Sequence, residues 1–436
     1  MTASDLPAPE RAILVGVVLP HMHRDEGEDH LDELARLTET AGGLVVDRLL
    51  QDKDRLDAAY FVGRGKAEEI AAHARGRRAD LIIFDDDLSP AQIRNLEKLI
   101  GARVIDRSGL ILDIFARRAR TREARTQVEL AQLNYLLPRL ARRWTHLSRQ
   151  AGGIGGRGIG ETQIEIDRRI IRRRIARLET DLGRIEKERS LRRTGRRGVV
   201  KCALIGYTNS GKSTLLNALA KAGAFVEDRL FATLDPLVRR VELGRGRDVL
   251  LIDTVGFIRK LPHHLVASFR STLEEAAGAD LLLHVVDISH PKYEEQIEVT
   301  EQALGGSELS GKPILTVFNK MDRVHEPGIL DRARRLHPGA VVMAAALGEG
   351  LEELKARLRE ILEQDLVERS IRLSSSDAEG ISRVYLQTQV LDARYDNGYV
   401  DLTFRASRAR AQALARMAPR LQRQGAEDAG AEETGA

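Results

Sequence analysis

One cysteine in 436 residues, Cys202, excludes an internal disulfide. It stands inside an apolar run, where a small buried side chain is the expectation rather than a reactive thiol. Long hydrophobic runs are missing too: none approaches the roughly 18 residues that a membrane-spanning helix requires. Ala12 to Leu19 is apolar but short, follows acidic residues and lacks a basic leader, so it reads as a strand and not as a signal peptide. These absences point to a soluble, cytoplasmic chain with no membrane insertion, long enough for two or three domains with cores of their own.

Charge is plentiful and unevenly placed. The net charge is only +4, yet Arg117 to Arg197 holds 23 Lys/Arg against 9 Asp/Glu, which leaves the remainder at −10. A basic block of that density points to a polyanion, RNA or DNA. The alternative, a solvated helix face, mixes its signs more evenly.

Three short motifs carry the chemistry. Gly206-Tyr207-Thr208-Asn209-Ser210-Gly211-Lys212-Ser213 fits G-x-x-x-x-G-K-[ST] at every fixed position, after the apolar run Val199–Ile205 and before a helical stretch opened by Thr214. Glycines let the backbone wrap a phosphate chain, and N–H groups at the helix start supply positive potential. Lys212 reaches the β- and γ-phosphates, and Ser213 offers a hydroxyl to Mg²⁺. Asp253-Thr254-Val255-Gly256 follows Val249–Ile252, placing a carboxylate in the Mg²⁺ shell and a glycine N–H beside the γ-phosphate. Asn319-Lys320-Met321-Asp322 ends a third apolar run. Its Asp pairs with the two donors on the guanine edge, whereas adenine would leave it unpaired at a cost of kcal/mol order. In this order, each after a strand-like run, the three imply a GTPase that binds GTP and GDP. Thr233, between the first two motifs, is the candidate switch threonine for Mg²⁺ and γ-phosphate. The expected metal ligands are thus Ser213, Thr233 and Asp253, and the expected catalytic groups Lys212, Thr233 and Gly256.

The expected fold class is α/β, in five segments. Residues 1–110 alternate strands (Ile13–Leu19, Leu44–Leu50, Leu81–Phe84, Arg103–Ile105) with helices (Leu31–Thr40, Lys66–Ala74, Pro90–Ile100), implying a small parallel α/β domain. Within it, Gly63-Arg64-Gly65-Lys66 reads as a tight turn rather than a phosphate cradle. Asp85-Asp86-Asp87 reads as a solvated loop with a cap rather than a metal site. His21 and His23 lack a second ligand cluster. Residues 111–197 carry two apolar stripes at heptad spacing, Leu130-Leu133-Leu137-Leu140-Trp144-Leu147 and Ile171-Ile175-Leu178-Leu182-Ile185. They predict an antiparallel helical hairpin, broken near Pro138, with a tip holding six glycines in the nine positions 152–160. Residues 198–366 make the P-loop GTPase domain, a Rossmann-like doubly wound sheet. His263 and His264, after its second motif, read as solvent-facing. Residues 370–424 make a small α+β domain, with strands Val384–Val390 and Tyr399–Phe404 around an Asp396-Asn397-Gly398 turn and a basic helix from Ser407. Residues 425–436 are expected to be a disordered tail.

With these motifs in place, the chain resembles the HflX family of ribosome-associated GTPases over nearly its whole length. The specific matches are Val62-Gly63-Arg64-Gly65-Lys66, Val104-Ile105-Asp106-Arg107, Gln127-Val128-Glu129-Leu130-Ala131-Gln132-Leu133, Gly160-Glu161-Thr162, Phe231-Ala232-Thr233-Leu234-Asp235 and Gly256-Phe257-Ile258. The resemblance implies a monomer that binds the large ribosomal subunit with GTP and dissociates stalled or idle ribosomes. An RNA-binding assembly or remodelling factor without splitting activity is the competing expectation. Two departures stand out. Ile159 replaces the tip proline, and Ala344-Ala345, followed by Ala346, stands where the family places Ser-Ala before a Gly-Glu-Gly element, a stretch expected beside the base. Phe257 occupies the position from which many switch GTPases orient water with Gln, which implies slow intrinsic turnover and activation by a partner. Asn209 matches the phosphate-loop Asn of potassium-activated GTPases, making K⁺ a second candidate cofactor beside Mg²⁺.

Overall fold

The computed structural model describes residues 9–140, 163–194, 200–220, 230–231, 233–235, 237–244, 247–260, 276–305, 309, 311–364 and 366–415. The glycine tip with Ile159, Trp144 and Leu147, the pair His263-His264 and the tail lie outside them.

The N-terminal unit is a four-stranded parallel sheet in the order β2-β1-β3-β4, from Leu44–Asp52, Arg11–Val18, Leu81–Phe84 and Arg103–Asp106. Seven of the eight residues of β1 are buried, as a strand covered on both faces must be. Helices α2 (Arg64–Arg77) and α3 (Pro90–Ile100) cover one face through Ala67, Ile70, Leu96 and Ile100. The start of α3 follows its sequence signal: Gln92 N–H donates to Ser89 Oγ at 3.2 Å and Ser89 N–H to Gln92 Oε1 at 2.9 Å. Helix α1 (Arg24–Thr40) covers the other face, together with α4 (Arg107–Arg118). The apolar pattern around Leu110, Ile111, Ile114 and Phe115 had not marked α4 as a helix of its own; it is capped by Asp106 and sinks those side chains into this core.

Helix α5 (Arg122–Leu136) ends two residues before Pro138, where the missing N–H forbids continuation. Its partner α6 (Gln163–Thr194) starts eight residues before the apolar stripe, and its 32 residues extend about 48 Å. The two pack together, Leu178 is buried, and Arg174 forks both oxygens of Glu129 at 2.7 and 2.9 Å. Arg169, Arg172 and Arg173 stay exposed and Arg168 half-buried along α6, lining an open hollow with Glu165 and Ala176.

The central sheet has the order β10-β9-β8-β5-β7-β6, from Val341–Val342, Ile314–Asn319, Leu281–Asp287, Val200–Ile205, Arg247–Asp253 and Leu237–Gly244. All neighbours are parallel except the edge pair β6/β7. The order reverses at β5, the kind of point where open α/β sheets hold ligands beyond their strand ends. Among the described residues the unit also has helices α7 (Lys212–Ala220), α8 (Tyr293–Gly305), α9 (Ile329–Leu336) and α10 (Leu351–Gln364).

A three-stranded antiparallel sheet, β11-β13-β12, follows from Leu366–Ser374, Tyr399–Ser407 and Gln389–Asp396. Here the sequence reading needs two corrections. Strand β11 had not been recognised, and the expected strand Val384–Val390 begins as helix α11 (Ala378–Gln387), becoming strand only at Gln389. The reason is local: Asp377 caps the helix, and Ile381 and Val384, three apart, turn to the sheet. The turn behaves as its residues indicate, with Asn397 and Gly398 both at positive φ. The basic helix α12 spans Arg408–Ala415.

Candidate functional site

At the end of β5 the phosphate loop closes on itself. Gly211 has φ +95°, and a Cβ there would lie 2.1 Å from Asn319 Nδ2, so only glycine fits. Lys212 is buried, and its Nζ donates to the carbonyls of Gly206 (3.1 Å) and Tyr207 (2.7 Å). Burial pushes its ammonium down to about 8 against the pull of Asp253, with Lys320 adding to the depression. The site is therefore short of negative charge, the deficit a phosphate chain makes good. Two buried hydroxyls of the loop, Thr208 Oγ1 and Ser210 Oγ, have no partner among the described residues. Asn209 sits at φ +59°. Thr214 follows in the first turn of α7, half-buried.

Three oxygens meet beyond the lysine. Ser213 Oγ lies 2.6 Å from Asp253 Oδ2 and 2.7 Å from Thr233 Oγ1, and Thr233 Oγ1 lies 2.9 Å from Asp253 Oδ2. Adjacent ligands of an octahedral ion with bonds of about 2.05 Å stand about 2.9 Å apart, so the triangle suits Mg²⁺. Asp253 is fully buried, its carboxyl is raised by desolvation against the two hydroxyls and Lys212, and its Oδ1 has no partner among the described residues. No cluster of three His, Cys, Asp or Glu is present among the described residues, so a metal here would complete its shell with phosphate and water.

The second motif lies hard against the loop. Phe257 N–H donates to Gly206 O at 3.0 Å, and Thr208 N–H donates to Phe257 O at 2.7 Å. A Cβ on Gly256 would fall 2.6 Å from Thr208 Cα and 2.9 Å from Lys212 Nζ, which explains glycine at that position. Both backbone groups of Phe257 are committed and its ring is buried, so nothing at this position reaches a water molecule.

On the base side, Asn319 Nδ2 donates to Ser210 O at 2.9 Å, while its Oδ1 accepts from Ala345 N–H at 2.9 Å. The third motif thus braces the first. Lys320, at φ +65°, pairs with Asp287 at 2.7 Å. Asp322 is exposed in the turn Met321–Arg323; Ala344 and Ala345 are buried, and Ala346 is exposed. Cys202 is buried in β5 and its thiol is pushed up to about 12 by desolvation, an inert core residue.

Sequence reasoning missed the groups that tie this site to the N-terminal unit. Asp85 is not in a solvated loop. It is 2 % exposed, 2.6 Å from both Arg107 Nη1 and Lys260 Nζ, and Lys260 also reaches Asp86 at 2.6 Å. The correction has a physical cause: a strand-end carboxylate is solvated only if nothing packs on it, and here α4 and the stretch after Gly256 both do. Arg107, fully buried, also pairs with Glu33, which accepts from the Tyr207 hydroxyl; that same hydroxyl accepts from Arg259 N–H at 2.9 Å. The one available signal was the match at Val104–Arg107, which gave a position but not a partner.

Residues 28–116 match a family described as GTP-binding GTPase N-terminal, 118–196 one described as GTP-binding GTPase middle region, and 201–320 one described as 50S ribosome-binding GTPase. A GTPase HflX of Magnetococcus marinus is 44% identical over 96% of this chain and 97% of its own. A GTPase HflX of Escherichia coli K12 is 44% identical over 91% and 94%. Among solved structures, a GDP complex of the protein SsGBP is 26% identical over 82% of this chain and 99% of that one, with a TM-score of 0.47.

Proposed function

The chain belongs to the HflX family of GTPases, and from that premise we propose that it binds the large ribosomal subunit in its GTP state and dissociates stalled or idle ribosomes. The observation that supports this reading is the arm α5–α6, on which Arg168, Arg169, Arg172 and Arg173 line one open hollow, a basic row of the kind that meets RNA phosphates. The proposed setting is the cytoplasm and the working form a monomer.

In this reading Ser213, Thr233 and Asp253 hold Mg²⁺, which when bound neutralises charge on the β- and γ-phosphates. Lys212 and the loop N–H groups would take the rest of that charge, and Gly256 N–H would meet the terminal phosphate. Asp322 reads the guanine edge. Water is left without a side-chain guide at Phe257, so turnover by the free protein is slow, and the ribosome supplies the missing order. Asn209 would hold a potassium ion, and any advantage of K⁺ over Na⁺ would then be lost in Asn209→Ala.

The experiment is GTP turnover with and without purified large subunits, alongside sedimentation of intact ribosomes. Turnover should rise on addition of subunits, intact ribosomes should decline with GTP, and Lys212→Ala should abolish both. Replacing the four arginines by Glu should weaken pelleting with ribosomes and flatten its salt dependence, leaving GTP affinity unchanged. Stimulated turnover without loss of intact ribosomes would favour an assembly or RNA-remodelling factor. Pelleting indifferent to the arginines at every salt concentration would remove the arm from the proposal.

A further inference from the structure

The stretch before β6 is anchored on both sides of Thr233, and neither anchor belongs to the GTPase sheet. On one side Leu230 and Phe231 are buried in the core that also contains Phe115 of α4 and Ala124, Val128 and Ala131 of α5. The Phe231 ring meets that of Phe115 edge-on, with centroids 4.8 Å apart and an interplanar angle of 84°. Phe231 holds φ +54°, a left-handed conformation that costs a bulky residue of order 1 kcal/mol and persists only where packing enforces it. On the other side Leu234 is buried in the same core, and Asp235 leaves the sheet altogether.

The Asp235 carboxylate sits at the first turn of α5. Its Oδ2 accepts from Arg120 N–H at 3.0 Å and Thr121 N–H at 3.2 Å, and its Oδ1 accepts from the Thr121 hydroxyl. Thr121 is the N-cap of α5, its Oγ1 accepting from Ala124 N–H at 3.1 Å, so the carboxylate joins the cap and meets the positive end of the helix dipole. Thr233 stands two residues from Phe231 and two from Asp235, with Leu234 adjacent, and two extended residues span at most about 7 Å. A shift of the α4–α5 corner therefore reaches Thr233 with little slack to absorb it.

We propose that Asp235, acting through Thr121, is a positioning residue for GTP hydrolysis: it holds Thr233 against Ser213 and Asp253 and so couples the root of the basic arm to those three oxygens. The inference rests on the reading of Thr233 as a ligand of Mg²⁺. It gives stimulation by an arm-bound partner a physical route. Pressure along α5 is felt by its N-cap, the N-cap by Asp235, and Asp235 by Thr233.

The test uses the full chain with Asp235→Asn, Thr121→Ala, Thr121→Ser and Thr233→Ala. Hydrogen exchange is measured on the segment 230–235 without nucleotide, and steady-state GTP turnover with excess Mg²⁺. Asp235→Asn and Thr121→Ala should each speed exchange of that segment about tenfold, lower kcat about tenfold and leave KM for GTP within twofold, whereas Thr121→Ser should keep parental values. The serine rescue separates positioning from a general loss of structure. If Thr233→Ala lowers kcat while Asp235→Asn changes neither kcat nor exchange, the positioning role is refuted and the metal reading stands. If Thr233→Ala leaves kcat and its Mg²⁺ dependence untouched, the metal reading fails and takes this inference with it.

Discussion

Asp85→Asn is the substitution whose consequence can be worked most fully from the structure. The carboxylate is 2 % exposed and pairs at 2.6 Å with Arg107, itself 1 % exposed, and with Lys260. With charge centres about 4 Å apart and an effective dielectric constant of about 20, one such pair is worth about 4 kcal/mol before hydration is counted. Removing the charge leaves Arg107 buried with Glu33 alone, while Lys260 keeps Asp86 and some contact with water. The net cost should fall near the lower end of the range for breaking a buried pair, about 3 kcal/mol. For an urea slope of about 1.5 kcal/mol/M, the transition of the N-terminal unit moves down by about 2 M. Hydrogen exchange of the α4 amides should report the same loss, since Arg107 opens that helix. Lys260→Met is the control: Asp85 keeps Arg107, so the cost should be about 1 kcal/mol. In the double variant the two losses should fall short of additivity, because both remove one shared contact. An Asp85→Asn midpoint within about 0.3 M of the parent, with α4 exchange unchanged, would show that the buried network contributes nothing, and the argument from burial would be wrong.

Two further outcomes follow from named groups. Asp322→Asn should weaken GDP about 100-fold and strengthen xanthosine diphosphate, because the guanine donors lose a charged acceptor; calorimetry with both nucleotides checks this, and unchanged guanine preference would refute it. His284, buried in β8, is pushed down to about 4 by desolvation and by the nearby Lys212 and His337. Its folded value lies below the unfolded one near 6.5, so the unfolded chain takes up the proton first and stability falls as pH drops from about 6.5 towards 4, by up to about 3 kcal/mol. His30 and His290, lowered mainly by burial, act in the same direction, so the measurement is the pH dependence of the urea midpoint in His284→Asn against the parent, which should be flatter in the variant.

Much of this molecule is legible in its sequence, and the legible parts share a cause. The phosphate loop, the Asp253–Gly256 motif and Asn319–Asp322 each do their work within a few residues of chain, at the end of a strand that its own apolar run declares. The same holds for the α3 capping box, the break near Pro138 and the Asn397-Gly398 turn, where short-range sterics and local hydrogen bonds decide. Even the break between α11 and β12 had a local marker in Asp377, overlooked because Val384 to Val390 also reads as an apolar run.

Tertiary structure decided what those local units face. No periodicity announces that Asp85 is buried against Lys260, 175 residues away, or that the Tyr207 hydroxyl finds Glu33 at a separation of 174. Nor could spacing reveal that Asp235 caps α5 across 114 positions. Each is a charge or hydroxyl that would be well solvated on an isolated domain and becomes costly to bury once two domains close on it, so its partner is fixed by packing and not by neighbours in the chain. Guanine-nucleotide binding is legible from the chain alone, because that chemistry is written in contiguous loops. That the stretches around Thr233 and Gly256 share a core with the basic arm is a matter of packing, because it depends on which apolar surfaces remain uncovered when the N-terminal and central sheets have each folded.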